Sequence, residues 1–192
     1  MASLSKHPTV KAFQARAGAD STPPSLLDAS WLRTLCLEAG ADDVGFIEID
    51  RPELDDQRVD ILSAFPHAKA LISLVGRMNR EAIRSPARSV ANVEFHHADD
   101  ALEEVARTIV AQLEQHQVRA LSPAVGFPQE MDHFPGKIWV VSHKPVAVAA
   151  GMGRMGIHRN VIHPRFGNFI LLATILVDTE ISAYDRPIDY NP

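Results

Sequence analysis

The sequence has little of what would narrow its chemistry fastest. It holds one cysteine, Cys36, so it forms no internal disulfide and cannot alone supply the thiolates that a structural zinc or an iron–sulfur cluster takes. A reducing compartment fits that scarcity, and the expected location is the cytoplasm. Basic charge is not in excess: 19 Lys and Arg stand against 24 Asp and Glu. That excludes a chain-wide nucleic-acid coat, which needs clustered cations to neutralise phosphates, but leaves room for a local basic patch. Long hydrophobic runs are missing too. Stretches such as "FILLA" are far too short to span a bilayer, and the opening "MASLSKHPTV" lacks the apolar core of a signal peptide, so no membrane span is expected.

What is present is ordinary globular material, 46% hydrophobic and 22% charged over 192 residues, enough for one α/β or α+β domain with a substantial core. Residues 1–24, with Pro23 and Pro24 and no sustained apolar period, read as a loose leader. Residues 25–183 read as the folded domain and 184–192 as a tail. After Pro24, a helix carrying Leu27, Trp31, Leu35 and Cys36 near one face closes at Gly40 and leads to a strand at 44–49. Pro52 opens a second helix, Pro66 follows its end, and the apolar run 70–75 reads as a buried strand.

The pattern then lapses over 77–97, until Asp99 or Asp100 caps a long amphipathic helix with Leu102, Val105, Ile109 and Leu113 on its apolar face. Asp99 and Asp100 are thus read as helix-start charges favoured by the macrodipole. Arg77, Arg80, Arg84 and Arg88 make a basic stripe if their segment is helical, either a solvated face or a surface for a phosphate. Residues 118–137 suggest a short strand and a Pro/Gly-rich loop, near which Phe127, Phe134 and Trp139 could wall a flat ligand, although core packing is the plainer fate for Trp139. Toward the end, "NVIHPRFGNFILLATILVD" fits two strands joined by a turn at 164–167.

The stretch "HKPVAVAAGMGRMGIHRNVIHPRFGNF" contains a G-x-G-x-x-G at Gly151, Gly153 and Gly156. A dinucleotide-binding turn needs a strand before the first glycine and a full crossover helix after the motif. Only "IHRNVIH" separates Gly156 from Pro164, which leaves no room for that helix. The glycines must instead let the backbone approach a packed neighbour or a flat cofactor. His143 and Lys144, just upstream, are the candidate proton donors, since a perturbed His or Lys can deliver a proton near neutral pH. The plainer reading has them capping or preceding a helix at Pro145, with His158 and His163 bonding backbone in the turns. A zinc-type site from His96, His97, His158 and His163 is disfavoured, because no pair has i, i+4 spacing.

The segment "KPVAVAAGMGRMGIHRNVIHPRFGNFILLATILVD" resembles the end of the corrinoid-binding region in the family of epoxyqueuosine reductases and reductive dehalogenases. There an alanine-rich helix runs into AGLG, a glycine turn, a strand, a G-[SN]-F turn and a hydrophobic strand. "FHHADDALEEVARTIVAQLEQ" resembles the family helix that follows a histidine-containing loop. The resemblance spans roughly residues 43–189 and is specific over 144–178.

It implies a nitroreductase-like α/β (α+β) fold, a sheet flanked by helices, that binds cobalamin without its lower base on cobalt. The implied contacts are Gly151, Gly153, Gly156, His158, Asn160, Gly167 and Phe169. In that family a region with two [4Fe-4S] clusters follows, whereas this chain has "YDRPIDYNP" where the first cluster motif is expected. The resemblance therefore implies the cobalamin-binding portion of such a reductase, inactive alone, with an iron–sulfur electron donor as partner and a small-molecule or tRNA substrate. A non-catalytic corrinoid carrier or sensor and an FMN-binding oxidoreductase are the alternatives. Ser142 stands where epoxyqueuosine reductases resemble one another in an aspartate thought to protonate substrate. The tyrosines, Tyr184 and Tyr190, both lie in the tail, away from the place of the dehalogenase acid.

Overall fold

The computed structural model describes residues 24–125 and 140–191, together with His7. Nearly all of the expected leader, and Phe127, Phe134 and Trp139, lie outside the described residues. The chain begins with β1 (Leu26–Leu27), α1 (Ala29–Glu38) and β2 (Asp43–Glu48), then a 3-10 turn at Pro52–Leu54 and α2 (Arg58–Ala64). β3 (Ala70–Arg77), α3 (Arg80–Arg84), α4 (Arg88–Gln115) and β4 (Ala120–Leu121) follow. α5 (His143–Ala149), β5 (Arg154–Met155), β6 (Val161–Ile162), β7 (Ile170–Val177) and β8 (Glu180–Ile181) complete it.

The main sheet has the order β2-β3-β7-β4 and every pairing in it is antiparallel. This is the α+β class. β3 and β7 read as continuous apolar runs because helices cover both of their faces. Val44, Phe46, Ile72, Leu74, Ala173 and Ile175 face α1 and α4, while Ile47, Leu71 and Leu176 face the 3-10 turn, α2 and α5. The register sets Gly45, Ser73 and Thr174 in one row across the α5 face. Glycine is required in that row: a Cβ on Gly45 would lie 2.4 Å from the Ala150 carbonyl oxygen, so α5 packs directly on the strand.

Several expectations are corrected. α1 starts at Ala29, because the Asp28 carboxylate accepts the Trp31 amide at 2.7 Å, and Leu27 belongs to β1. α4 starts at Arg88, so Asp99 and Asp100 are interior and cap nothing. The apolar period begins only at Leu102, with Ala106, Ile109 and Leu113 the other buried positions, and the polar first half still forms helix because no Gly or Pro interrupts it. The four arginines do not share a helix: Arg77 ends β3, Arg80 and Arg84 bound α3, and Arg88 opens α4. β6 pairs with β5, so the 163–167 turn does not join two partners of one hairpin. No helix among the described residues is long and apolar enough to cross a membrane.

The tail is tied down at β2. Asp185 accepts two bonds from Arg33 and one from the Phe46 amide, and its own amide donates to the Phe46 carbonyl. Buried Arg51 donates to the Asp185 and Ala149 carbonyls and pairs with Glu48, which also holds Arg186.

Candidate functional site

The glycine motif is followed by a hairpin, not a helix, so the argument against a dinucleotide-binding turn holds. α5 ends at Ala149 and the chain turns through Gly151 at φ +77°, a conformation that favours glycine. A Cβ there would lie 2.6 Å from the Arg186 carbonyl oxygen in the tail. At Gly153 it would lie 2.4 Å from the Ile162 carbonyl oxygen, and at Gly156 2.7 Å from the His158 ring. All three motif glycines therefore make room for the chain's own atoms. Gly167, at φ +65°, differs, since its nearest neighbour would be Phe169 at an ordinary 3.9 Å.

His143 and Lys144 are adjacent in sequence and opposite in environment. As the first residue of α5, His143 points into the sheet and is buried. Its Nδ1 lies 2.9 Å from the Thr174 hydroxyl and its Nε2 3.2 Å from the Ala124 carbonyl. The carbonyl can only accept, so Nε2 carries the proton and Nδ1 accepts from Thr174. Burial pushes the imidazole pKa down, and the Ala124 bond opposes that only in part. Lys144 is exposed, and its Nζ donates to the Arg159 carbonyl at 3.0 Å and to Asn160 Oδ1 at 2.9 Å, which ties α5 to the hairpin tip. At that tip Ile157, His158, Arg159 and Asn160 are all exposed, and the His158 ring accepts the Asn160 amide. Ser142 precedes the helix as an exposed N-cap whose side chain caps nothing.

The turn after β6, where His163 is expected to bond backbone, also holds a histidine–carboxylate pair. His163 is 2% exposed, accepts the Arg165 amide on Nδ1 and faces Asp43 across 3.0 Å with Nε2. Burial alone would raise the Asp43 carboxyl pKa, but the His163 bond and the Val44 amide outweigh it and hold the group below its ordinary value. The His163 ring stacks on Phe166 with centroids 4.7 Å apart. Beside this pair lies a cleft of about 650 Å³ whose lining includes Arg77, Arg80, Arg165, Glu94, Phe166 and Phe169. The β3–β7 ladder assembles it: Arg77 pairs with Ile170, and the Met78 amide donates to the Phe169 carbonyl, so α3 starts against the turn.

Sequence reasoning singled out Phe169, Arg77 and Arg80 separately and missed Arg165, Glu94 and their convergence. The available signal was "HPRFGNF", a basic residue beside two aromatics in a turn next to a buried strand. Among the described residues, no group of three His, Cys, Asp or Glu is placed to hold a metal ion.

No protein-family model matches the chain, and no curated protein does. Solved structures are similar in fold. The catabolic reductive dehalogenase NpRdhA, in complex with 3-bromo-4-hydroxybenzoic acid, matches with a TM-score of 0.63 and 17% identity over 84% of this chain and 21% of that one. A reductive dehalogenase whose structure suggests a mechanism for B12-dependent dehalogenation matches at 0.64 and 17%, over 91% of this chain and 23% of that one. Epoxyqueuosine reductase from Streptococcus thermophilus matches at 0.52 and 16%, over 84% and 48%. The chain thus spans about a fifth of the dehalogenases and about half of the reductase. At these identities the likeness establishes a shared fold.

Proposed function

We propose that this chain is the cobalamin-binding portion of a corrinoid-dependent iron–sulfur reductase, of reductive dehalogenase or epoxyqueuosine reductase type, and that it turns over no substrate alone. The observation that carries the reading is the fold likeness to those reductases over 84–91% of the chain. A bound corrinoid would supply a reducible cobalt able to take a leaving group or oxygen function from substrate.

The surface available to such a group is the exposed hairpin tip and the open side of the 167–169 turn. Ile157 gives the tip an apolar contact, His158 and Asn160 offer hydrogen bonds to amide-bearing edges, and Gly167 lets backbone come close. Gly151, Gly153 and Gly156 act one layer below, by letting the hairpin pack on the tail and on itself. Lys144 is the better proton donor of the two candidates, because it is exposed at the tip while His143 spends both nitrogens on Thr174 and Ala124. Cys36 is buried and its thiol pushed up to about 12 chiefly by burial, so it neither ligates a cluster nor relays electrons. Reducing electrons are assigned to a separate iron–sulfur domain or protein, and the substrate to a small molecule or a tRNA.

An anaerobic absorbance titration with cob(II)alamin tests the reading. A saturable shift to the base-off spectrum is expected. No change at high micromolar cobalamin, with clear binding of FMN, would replace it by the flavin alternative.

A further inference from the structure

The cleft beside the His163 turn gathers three guanidinium groups. Arg77 lies over Phe166 at 5.7 Å and Arg165 over the same ring at 4.8 Å, while Arg80 lies over Phe169 at 5.0 Å. A cation held against a ring face is oriented without spending its N–H donors. Those donors are largely unspent. Arg77 approaches Asp42 only at 3.8 Å, and Arg80 and Arg165 have no carboxylate partner or side-chain hydrogen bond among the described residues. The one acid lining the cleft among the described residues, Glu94, has an oxygen engaged by the Asn79 amide at 2.5 Å. Among the described residues, two aromatic supports and three cations against Glu94 and the more distant Asp42 make a cleft whose charge is unbalanced toward an anion.

We infer that this cleft binds a phosphate monoester or pyrophosphate group, with Arg77, Arg80 and Arg165 as its donors. Three guanidinium groups stand against Glu94 and the more distant Asp42, so positive charge stays in excess among the described residues, and their many N–H donors suit the several oxygens of a phosphate better than a single carboxylate. The forked guanidinium geometry also suits phosphate oxygens. Phe166 and Phe169 give the exposed cations a face to lie against, and His163, held by Asp43, stacks on Phe166. This inference stands on the cleft alone and does not require that a corrinoid occupy the hairpin tip.

The test is isothermal titration calorimetry of the full chain without any corrinoid, at low and constant ionic strength, with inorganic phosphate, pyrophosphate and benzoate. Saturable binding of phosphate or pyrophosphate is expected, with benzoate binding more weakly. Because charge-assisted hydrogen bonds from a guanidinium survive solvent screening only in part, the double variant Arg80→Ala and Arg165→Ala should weaken pyrophosphate at least about tenfold. Both side chains are exposed, so the variant should keep its fold, which circular dichroism checks. Glu94→Gln keeps an acceptor for Asn79 but removes the charge, and should tighten pyrophosphate about two- to threefold. Absence of binding by wild type, equal binding of benzoate, an unaffected double variant, or weaker binding by Glu94→Gln would each overturn the inference. Cobalamin titration of the same double variant separates the two readings, since loss of pyrophosphate with cobalamin retained leaves the corrinoid proposal intact.

Discussion

Two turns follow each other closely between α5 and β7, and they use their glycines differently. In the first, Gly151, Gly153 and Gly156 give up their side-chain space to the Arg186 carbonyl, the Ile162 carbonyl and the His158 ring. In the second, a Cβ on Gly167 would meet nothing among the described residues closer than Phe169 at 3.9 Å, and Arg165, Phe166 and Phe169 stand beside it. A glycine motif is therefore not in itself a ligand cradle. The residues that could touch a ligand are the exposed ones that the packed glycines hold in place.

The sharpest way to break this comparison is to substitute both turns. Gly153→Val should cost about 3 kcal/mol in urea denaturation, since even its Cβ would sit 2.4 Å from a backbone oxygen that cannot easily move. Gly167→Ala has space and should cost only about 1 kcal/mol, from holding a non-glycine residue at positive φ. Loss of cobalamin binding by Gly153→Val would for the same reason report a damaged hairpin, whereas loss by a well-folded Gly167→Ala would report contact. Equal costs at the two positions would dissolve the distinction.

A second effect, of about 2 kcal/mol, is expected at the base of the first turn. His143→Ala leaves the buried Thr174 hydroxyl and the Ala124 carbonyl without their shared partner. The same residue predicts a pH dependence. Its folded pKa lies below the ordinary 6.5, so the fold prefers the neutral ring. Its contribution is full above 6.5 and is lost as pH falls, and His143→Ala should flatten that part of the wild-type stability curve.

The second turn is tied to acid stability through Asp43, and the tail through Glu48. Both carboxyls have folded pKa values below their ordinary ones despite burial, Asp43 because of His163 and the Val44 amide, Glu48, at about 2, because of Arg51 and Arg186. The Glu48 contribution is thus present above pH 4.5 and drains away as pH falls toward about 2, and the Asp43 contribution is present above pH 3.8 and is lost as pH falls further. Glu48→Gln should reduce the acid-induced loss by a smaller amount than the buried His143 change, because Glu48 is itself partly exposed and one of its two partners, Arg186, is exposed and screened. Identical acid titrations of Glu48→Gln and wild type would show that the tail is not anchored this way.

How much of this was legible in the sequence depended on which residues the core could use. β2, β3 and β7 declared themselves through continuous apolar runs, and α4 through the period from Leu102 to Leu113. Its first half was missed because residues 88–101 meet little core and so carry no apolar period. The room after Gly156 correctly excluded a crossover helix, since chain length alone decides that. Convergence across the fold was not legible: Arg80 and Arg165 are 85 positions apart, and only the β3–β7 register brings them to one cleft. The fate of His143 was equally hidden, because its partner Thr174 lies on a strand whose alternation is masked by burial on both faces.

The smallest expected effect falls on Lys144, and its smallness is what makes it useful. The side chain is exposed and its two bonds are to the hairpin tip, so Lys144→Met should change stability by no more than about 0.5 kcal/mol. His143→Gln, by contrast, disturbs a buried bond and should lower stability measurably, so any activity it loses is ambiguous. If the chain, supplied with cobalamin and a reduced iron–sulfur donor, acquires turnover, a proton delivered from Lys144 would make the rate of Lys144→Met fall while its thermal transition stays put. Lys144→Arg, which keeps the charge and the tip contacts but hardly gives up a proton, should bind cobalamin like wild type and share the rate loss. A Lys144→Arg variant with wild-type turnover would reduce the lysine to a tether for Asn160, and the proton would then have to come from substrate-side solvent or from the partner.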